Sequence, residues 1–227
     1  IVFNGSPLFT GDAGGGESAI RKWIIENDWL ECIIKLPDRM FFNTDISTYI
    51  WIVTNKKISK RKGKVQLIDG SSFGIPMKKN LGDKGKFISD DEIKILNKIY
   101  LDNSENNFCK IFNNKYFGYT KVVIEQALFK DGLVQKDKKG KIKTDPNKRN
   151  SERIPLSEDV DAYYNKEIKP HLPKSWMDRS KDKIGYEINF TKYFYKFKPL
   201  RTIDDISKDL KFIDNEIKNL SIEVDYD

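Results

Sequence analysis

The sequence predicts an α/β fold. It reads as the C-terminal half of a nucleotide-cofactor-type sheet ending in an antiparallel strand, followed by an α+β region and a C-terminal coiled-coil-type helix. Three observations predict it. Residues 1–36 run strand, helix, strand, the order of a parallel crossover. The loop Asp38–Ser47 is too short for a second crossover helix, so Thr48–Thr54 must return antiparallel. Finally, Ile203, Ile206, Leu210, Ile213, Ile217, Leu220 and Val224 recur in alternating steps of three and four, the a/d seam of a coiled coil.

The elements follow in order. Ile1–Asn4 is an apolar strand ending at Asn4-Gly5, and a strand needs neighbours to satisfy its backbone. The chain, which starts inside this strand, is therefore expected to be a fragment. A loop through Gly14-Gly15-Gly16 leads to a helix over Glu17–Asn27, with Ile20, Trp23 and Ile24 on its inward face and Glu17 in its first turn. Leu30–Leu36 is a short apolar run stopped by Pro37-Asp38. Thr48–Thr54 is β-branched, aromatic and almost continuously apolar, as befits a strand buried on both faces. Val65–Asp69 is a further strand.

Beyond residue 75 the pattern changes. Ser89-Asp90-Asp91-Glu92 is a capping-box signature opening a helix with Ile93, Leu96 and Ile99 inward. Residues 108–129 suggest a hairpin or β arm. Ser157 opens a helix carrying Val160, Tyr164 and Ile168. Thr202 caps the last helix, with Asp204 and Asp205 in its first turn. That helix must bury its seam, either on the body of the chain or, as its narrow stripe and strict repeat favour, on a helix of another subunit.

Of the 227 residues, 38% are hydrophobic and 33% charged, a balance that excludes a membrane protein. No apolar run approaches the roughly 20 residues needed to span a bilayer. Two cysteines, Cys32 and Cys109, cannot assemble a metal cluster, and Cys32 fits a small buried hydrophobe. A reducing, cytoplasmic location is expected. The net charge of +7 is concentrated: residues 130–153 hold nine Lys/Arg against four acids. Lys138, Lys139, Lys141, Lys143, Lys148 and Arg149 there could meet a polyanion, or form a solvated loop.

Gly14-Gly15-Gly16-Glu17-Ser18-Ala19 fits G-x-G-x-x-A, but it stands well after the strand end at Gly5, where a phosphate turn would not be placed. A flexible loop is the better reading. Paired acid/base carboxylates, zinc spacing and a Ser/Cys–His triad are missing, and His171 lies between prolines without catalytic partners. Met40-Phe41-Phe42-Asn43-Thr44 differs. It sets two aromatics in a loop between buried strands, where sheet ends face ligands. One of them, Phe41 first, can belong to the core, and the other can stack on a flat base for about 1–3 kcal/mol.

The runs NGSPLF, IRKWIIEND, WLECIIKLP and MFFNTDISTYIWIVTNKK, with KVQLIDGSSF and GYEINFTKYFYKFKPLRTIDDI further on, resemble the methyltransferase (M) subunit of type I restriction–modification systems. These are adenine-N6 DNA methyltransferases using S-adenosylmethionine. The resemblance covers most of the chain and is weakest over 76–150. It implies the C-terminal half of a Rossmann-like methyltransferase sheet, with Ile1–Gly5 as fifth strand, Leu30–Leu36 as sixth and Thr48–Thr54 as the reversed seventh. The family's Asn/Asp-Pro-Pro-aromatic tetrapeptide and cofactor loop lie upstream of NGSPLF. No catalytic residue and no S-adenosylmethionine binding are therefore expected in this chain.

What the resemblance does carry over is the late motif: Phe41 or Phe42 would help hold a flipped adenine, and Asn43, Thr44 and Thr48 would shape the loop. The helix carrying Ile203, Ile206, Leu210, Ile213, Ile217 and Leu220 would dock on the specificity (S) subunit. The basic segment would meet DNA or a partner, and a restriction (R) subunit completes the expected set. Residues 1–75 would be catalytic-domain half, 76–180 an α+β extension, and 181–227 the docking region. A noncatalytic nucleic-acid-binding or assembly module, or a piece of a fused restriction–methylation polypeptide, are the alternatives.

Overall fold

The structure, a computed structural model, describes residues 1–197 and 199–224. It divides into two compact units, Ile1–Phe194 and Tyr195–Asp227. In the first, β1 (Val2–Asn4), α1 (Ser6–Phe9), α2 (Gly16–Glu26), β2 (Leu30–Lys35), β3 (Thr48–Val53) and β4 (Lys64–Asp69) come first. They are followed by β5 (Ile75–Leu81), β6 (Lys84–Phe87), α3 (Asp90–Asp102) and β7 (Cys109–Asn113). Next come β8 (Gly118–Gln126), β9 (Phe129–Lys130), β10 (Leu133–Val134) and β11 (Asn150–Pro155). The first unit closes with α4 (Val160–Tyr163), β12 (Ser175–Met177), β13 (Lys183–Tyr186) and α5 (Phe190–Phe194).

A mixed five-stranded sheet of order β1-β3-β2-β4-β7 organises the first unit. The antiparallel return expected of Thr48–Thr54 is observed. β3 lies between β1 and β2 and runs opposite to both, pairing Ile50 with Val2 on one side and with Ile34 on the other. β4 then adds parallel to β2, and β7 antiparallel to β4. The pleat sends alternate residues to two cores. Ile33, Trp51 and Leu67 pack with Ile25 of α2, Leu8, Tyr186 and Ile188. Cys32, Ile68 and Cys109 pack with Leu96 and Ile99 of α3 on the other face. Leu30 and Cys32 lie two residues apart yet serve opposite cores, because the register shifts between them.

The second sheet is built on β8, the longest strand. β11 lines one side, and β12 and β13 share the other, pairing with its C-terminal and N-terminal halves. The stretch 108–129 is therefore not a hairpin. β7 joins the first sheet and β8 the second, with a 3₁₀ turn over Asn114–Phe117 between them.

Three local expectations are corrected. α2 turns Ser18, Arg21 and Ile25 inward and leaves Ile20 and Trp23 exposed. The reason is a tertiary one: Arg21, 2% exposed, donates to the carbonyl oxygens of Tyr186, Pro7 and Thr10 at 2.7, 2.9 and 2.6 Å. On α3 the capping box between Ser89 and Glu92 forms as expected, but Ile93 is exposed while Leu96 and Ile99 are buried. α4 is capped by Asp159, whose carboxylate accepts from the Asp161 and Ala162 amides, and not opened by Ser157. A π-helical turn over Tyr164–Ile168 then continues the chain.

The second unit is the helix α6 (Ile203–Val224) with the segment before it. Thr202 caps it: its Oγ1 accepts from the Asp205 amide at 3.1 Å and donates to the Asp205 carboxylate at 2.7 Å. Arg201 adds an ion pair to Asp209.

Candidate functional site

β2 and β4 are parallel, so the loops leaving them rise from the same sheet edge, where ligands meet α/β folds. The Gly70 amide donates to the Lys35 carbonyl at 2.9 Å and ties the two loops at their base. The end of β1 reaches that edge too, since Asn4 pairs with Thr48. Asn4 Oδ1 accepts from the Ser6 amide at 3.0 Å, which turns the chain into α1 at Pro7.

The loop between β2 and β3 is held open by its own polar contacts. Ser47 donates to the Asp38 carboxylate, and Thr44 Oγ1 accepts from the Ile46 amide at 3.2 Å. Phe41 and Thr44 bridge across a tight turn. Both aromatics project outward: Phe41 is 40% exposed and Phe42 58%, so Phe41 is not a core residue. Asn43 is exposed beside them, and Thr44 is partly buried. Thr48 is separated from these four. It is buried at the start of β3, and its hydroxyl lacks a hydrogen-bond partner. Behind the loop a cavity of about 410 Å³ opens between Met40, Leu36, Lys84 and the α3 residues Ile93 and Leu96.

Sequence reasoning passed over a neighbour of this loop. The β5–β6 hairpin docks its tip on it: the Asp83 amide donates to Phe42 O at 3.0 Å, and the Gly85 and Lys86 amides donate to Arg39 O at 3.0 and 3.2 Å. Arg39 Nε returns a bond to Asp83 O at 3.3 Å. Lys84 Nζ stands 5.2 Å from the centre of the Phe42 ring. Gly82 permits the approach, because at φ +63° an added Cβ would lie 2.7 Å from Phe42 O. The signal was present in Leu81-Gly82-Asp83-Lys84, a Gly-Asp turn flanked by lysines.

The basic segment forms an arm of two successive turns. One is the β9–β10 hairpin, turned by Asp131 and Gly132, both at positive φ, and the other closes at Gly140 between Lys136 and Ile142. Lys138, Lys139, Lys141 and Lys143 are exposed along it. Arg149 and Lys148 are engaged differently. Arg149 Nε donates to the buried Glu125 carboxylate at 2.9 Å, which Lys181 also reaches at 2.8 Å, and Lys148 lies 3.9 Å from Asp145. Burial pushes the Glu125 carboxyl up, but these two cations outweigh it and hold it below its ordinary value.

The Gly-rich loop serves packing between the sheets. An added Cβ at Gly14 would meet the Lys183 side chain at 3.1 Å, and Asp12 pairs with Lys121 and Arg153. Cys32 and Cys109 are buried free thiols, and His171 is exposed. Among the described residues no cluster of His, Cys, Asp and Glu could hold a metal, and no helix is long and apolar enough to cross a membrane. On α6, Ile203, Ile206, Leu210, Ile213, Ile217 and Leu220 are all exposed. The side chain of Val224 lies outside the described residues.

These features sit on a chain whose residues 1–121 match the profile of the N-6 DNA Methylase family, and the chain belongs to that family. Its curated relatives are named as methylase subunits of type I restriction enzymes. The MjaVIII subunit of Methanocaldococcus jannaschii is 32% identical over 114 residues, covering 49% of this chain and 18% of the relative. The HindI subunit of Haemophilus influenzae is 39% identical over 84 residues, covering 37% of the chain and 18% of the relative. The chain thus matches about a fifth of the length of these proteins. A solved type I methyltransferase subunit from Streptococcus thermophilus is 24% identical, with a TM-score of 0.44 over 52% of this chain and 23% of that one.

Proposed function

We propose that this chain is the target-base side of a type I restriction–modification methyltransferase subunit, whose whole protein transfers a methyl group from S-adenosylmethionine to adenine N6 in DNA. The family match over the segment that carries the Phe41–Phe42 loop is the observation behind this reading. β1 and β2 flank a reversed β3, as the end of a Rossmann-like methyltransferase sheet would have it. An adenine must leave the duplex to be methylated, and stacking on an exposed ring offsets part of that cost. Phe42, the more exposed, is the stacking face, and Phe41, Asn43 and Thr44 set its position. Thr48 fixes the base of the loop through Asn4.

The Gly-rich loop is read as a packing element and not as the cofactor site, a reading supported by the Lys183 side chain against Gly14 and the ion pairs of Asp12. We place the methyl donor and the catalytic tetrapeptide on residues outside this chain, which alone would be inactive. The exposed a/d seam of α6 supports docking on a specificity subunit. The arm carrying Lys138, Lys139, Lys141 and Lys143 would follow DNA phosphates, with Lys148 and Arg149 fixing its root. A restriction subunit and a cytoplasmic setting complete the reading.

Phe42→Ala in the full-length subunit, assembled with its partners, tests the central point. Losing a stack worth about 1–3 kcal/mol should lower methyl transfer into DNA roughly 5- to 150-fold. Unchanged transfer would remove the base-holding role.

A further inference from the structure

Four lysines stand on the β5–β6 hairpin, Lys78, Lys79, Lys84 and Lys86, against the single acid Asp83. Lys78 and Lys79 are exposed, Lys84 and Lys86 partly buried. Among the described residues none of the four forms an ion pair. A merely solvated lysine face would have no fixed relation to the loop beside it. This one has four hydrogen bonds to Arg39 and Phe42, and a glycine whose missing side chain admits the contact. A hairpin of two strands is marginal in water by itself, so this docking sets where its charges lie.

We propose that the β5–β6 hairpin is a phosphate-gripping arm. Lys78, Lys79 and Lys86 bind backbone phosphates of the DNA strand flanking the base received by the Phe41–Phe42 loop. Lys84 covers the Phe42 ring in the free protein and leaves it when the base stacks. The inference rests on the base-holding reading of that loop. Phosphate contacts carry no sequence information but fix the position of the strand. An arm bonded through Arg39 and Phe42 to the loop converts that grip into placement of the base. Lysine, a point charge, suits diester oxygens that offer no single geometry.

The test uses the full-length methylase subunit assembled with its specificity subunit. Binding is read on a mixed-sequence DNA duplex, and activity as labelled methyl groups entering bulk genomic DNA. Lys78→Ala with Lys79→Ala should lower the salt slope of log K by about 2, at roughly 0.9 per lost phosphate contact. KM for DNA should rise, and kcat at saturating DNA should fall less than it does in Phe42→Ala. Gly82→Ala, strained at φ +63° and crowding Phe42 O, should undock the arm and damage both constants. An unchanged salt slope in the lysine pair overturns the proposal. If that pair lowers the melting midpoint, Lys78→Gln with Lys79→Gln is read on the same scale. Phe42→Ala separates the two readings, because it should keep the salt slope and lose kcat. If Phe42→Ala keeps kcat, the loop does not hold the base and the placement of the arm beside it falls too.

Discussion

Arg21 Nε donates to the carbonyl oxygen of Tyr186, 165 residues away, at 2.7 Å. The same guanidinium satisfies the carbonyls of Pro7 and Thr10, and so joins α2, α1 and the second sheet at one buried point. Burial pulls its pKa down from the ordinary arginine value, and Tyr119, Glu187 and Glu17 push the other way. Removing it takes this partner from one buried and two partly buried carbonyl acceptors. Arg21→Ala should therefore destabilise the chain by about 3 kcal/mol in urea unfolding. Arg21→Lys should recover only part of this, because an ammonium lacks the planar fork. A loss below about 0.5 kcal/mol for the alanine variant would show that the three bonds add nothing net.

Asp28, just past the C-terminal end of α2, contributes to acid stability. Burial raises its pKa, but the Lys57 ammonium at 2.6 Å, the Gly63 amide and the Asn114 amide outweigh this and hold it below its ordinary value. The folded state thus favours the carboxylate. Its contribution is complete above the unfolded value of about 3.9 and is lost as pH falls through the lower folded value. Urea midpoints measured from about pH 5 down to pH 2 should fall more steeply for the native chain than for Asp28→Asn. Equal slopes would contradict the shift.

The two thiols should be silent. Cys32 is buried in the core under α3, and burial pushes its pKa well above the ordinary thiol value; Cys109 is raised for the same reason. Since the thiolate is the reactive form, neither should be labelled by a thiol reagent in native buffer, and both should react on unfolding in urea. Fast native labelling of either would mean that the α3 face opens.

On α6, the proposed docking seam can be broken without touching the rest of the helix. Leu210→Asp with Ile213→Asp puts two carboxylates on the a/d stripe, and should abolish co-purification of a specificity subunit with the full-length protein. Helix content by circular dichroism should be retained. Continued co-purification would assign the seam another role.

What could be read from the sequence was what depends on near neighbours. The Ser89–Glu92 capping box and the Thr202 cap need only three residues of separation, and both form. The reversal of Thr48–Thr54 followed from loop length alone. Distant partners defeated the same reasoning. Ile20 and Trp23 made an apolar stripe on α2, yet the face that turns inward carries Arg21, whose acceptors include a carbonyl from the far end of the unit. Ser157 was a plausible cap, but Asp159 stands nearer the first free amides and accepts from two of them. At the site, the outward rings of Phe41 and Phe42 were expected as a pair with one in the core. Their partner Lys84 was missed, because nothing in local spacing shows that a hairpin some forty residues on returns to them.

The position of β3 has a consequence for how the sheet is put together. β3 and β2 are joined by a short loop and can zip early, whereas among the described residues β1 pairs with β3, from Val2–Ile50 to Asn4–Thr48. Its ladder closes over nearly fifty residues of chain, and closing a long loop delays such contacts. The β1–β3 ladder should then form after the β2–β3 ladder. In refolding followed by pulsed amide exchange, the amides of the β2–β3 ladder should gain protection before those that join β1 to β3.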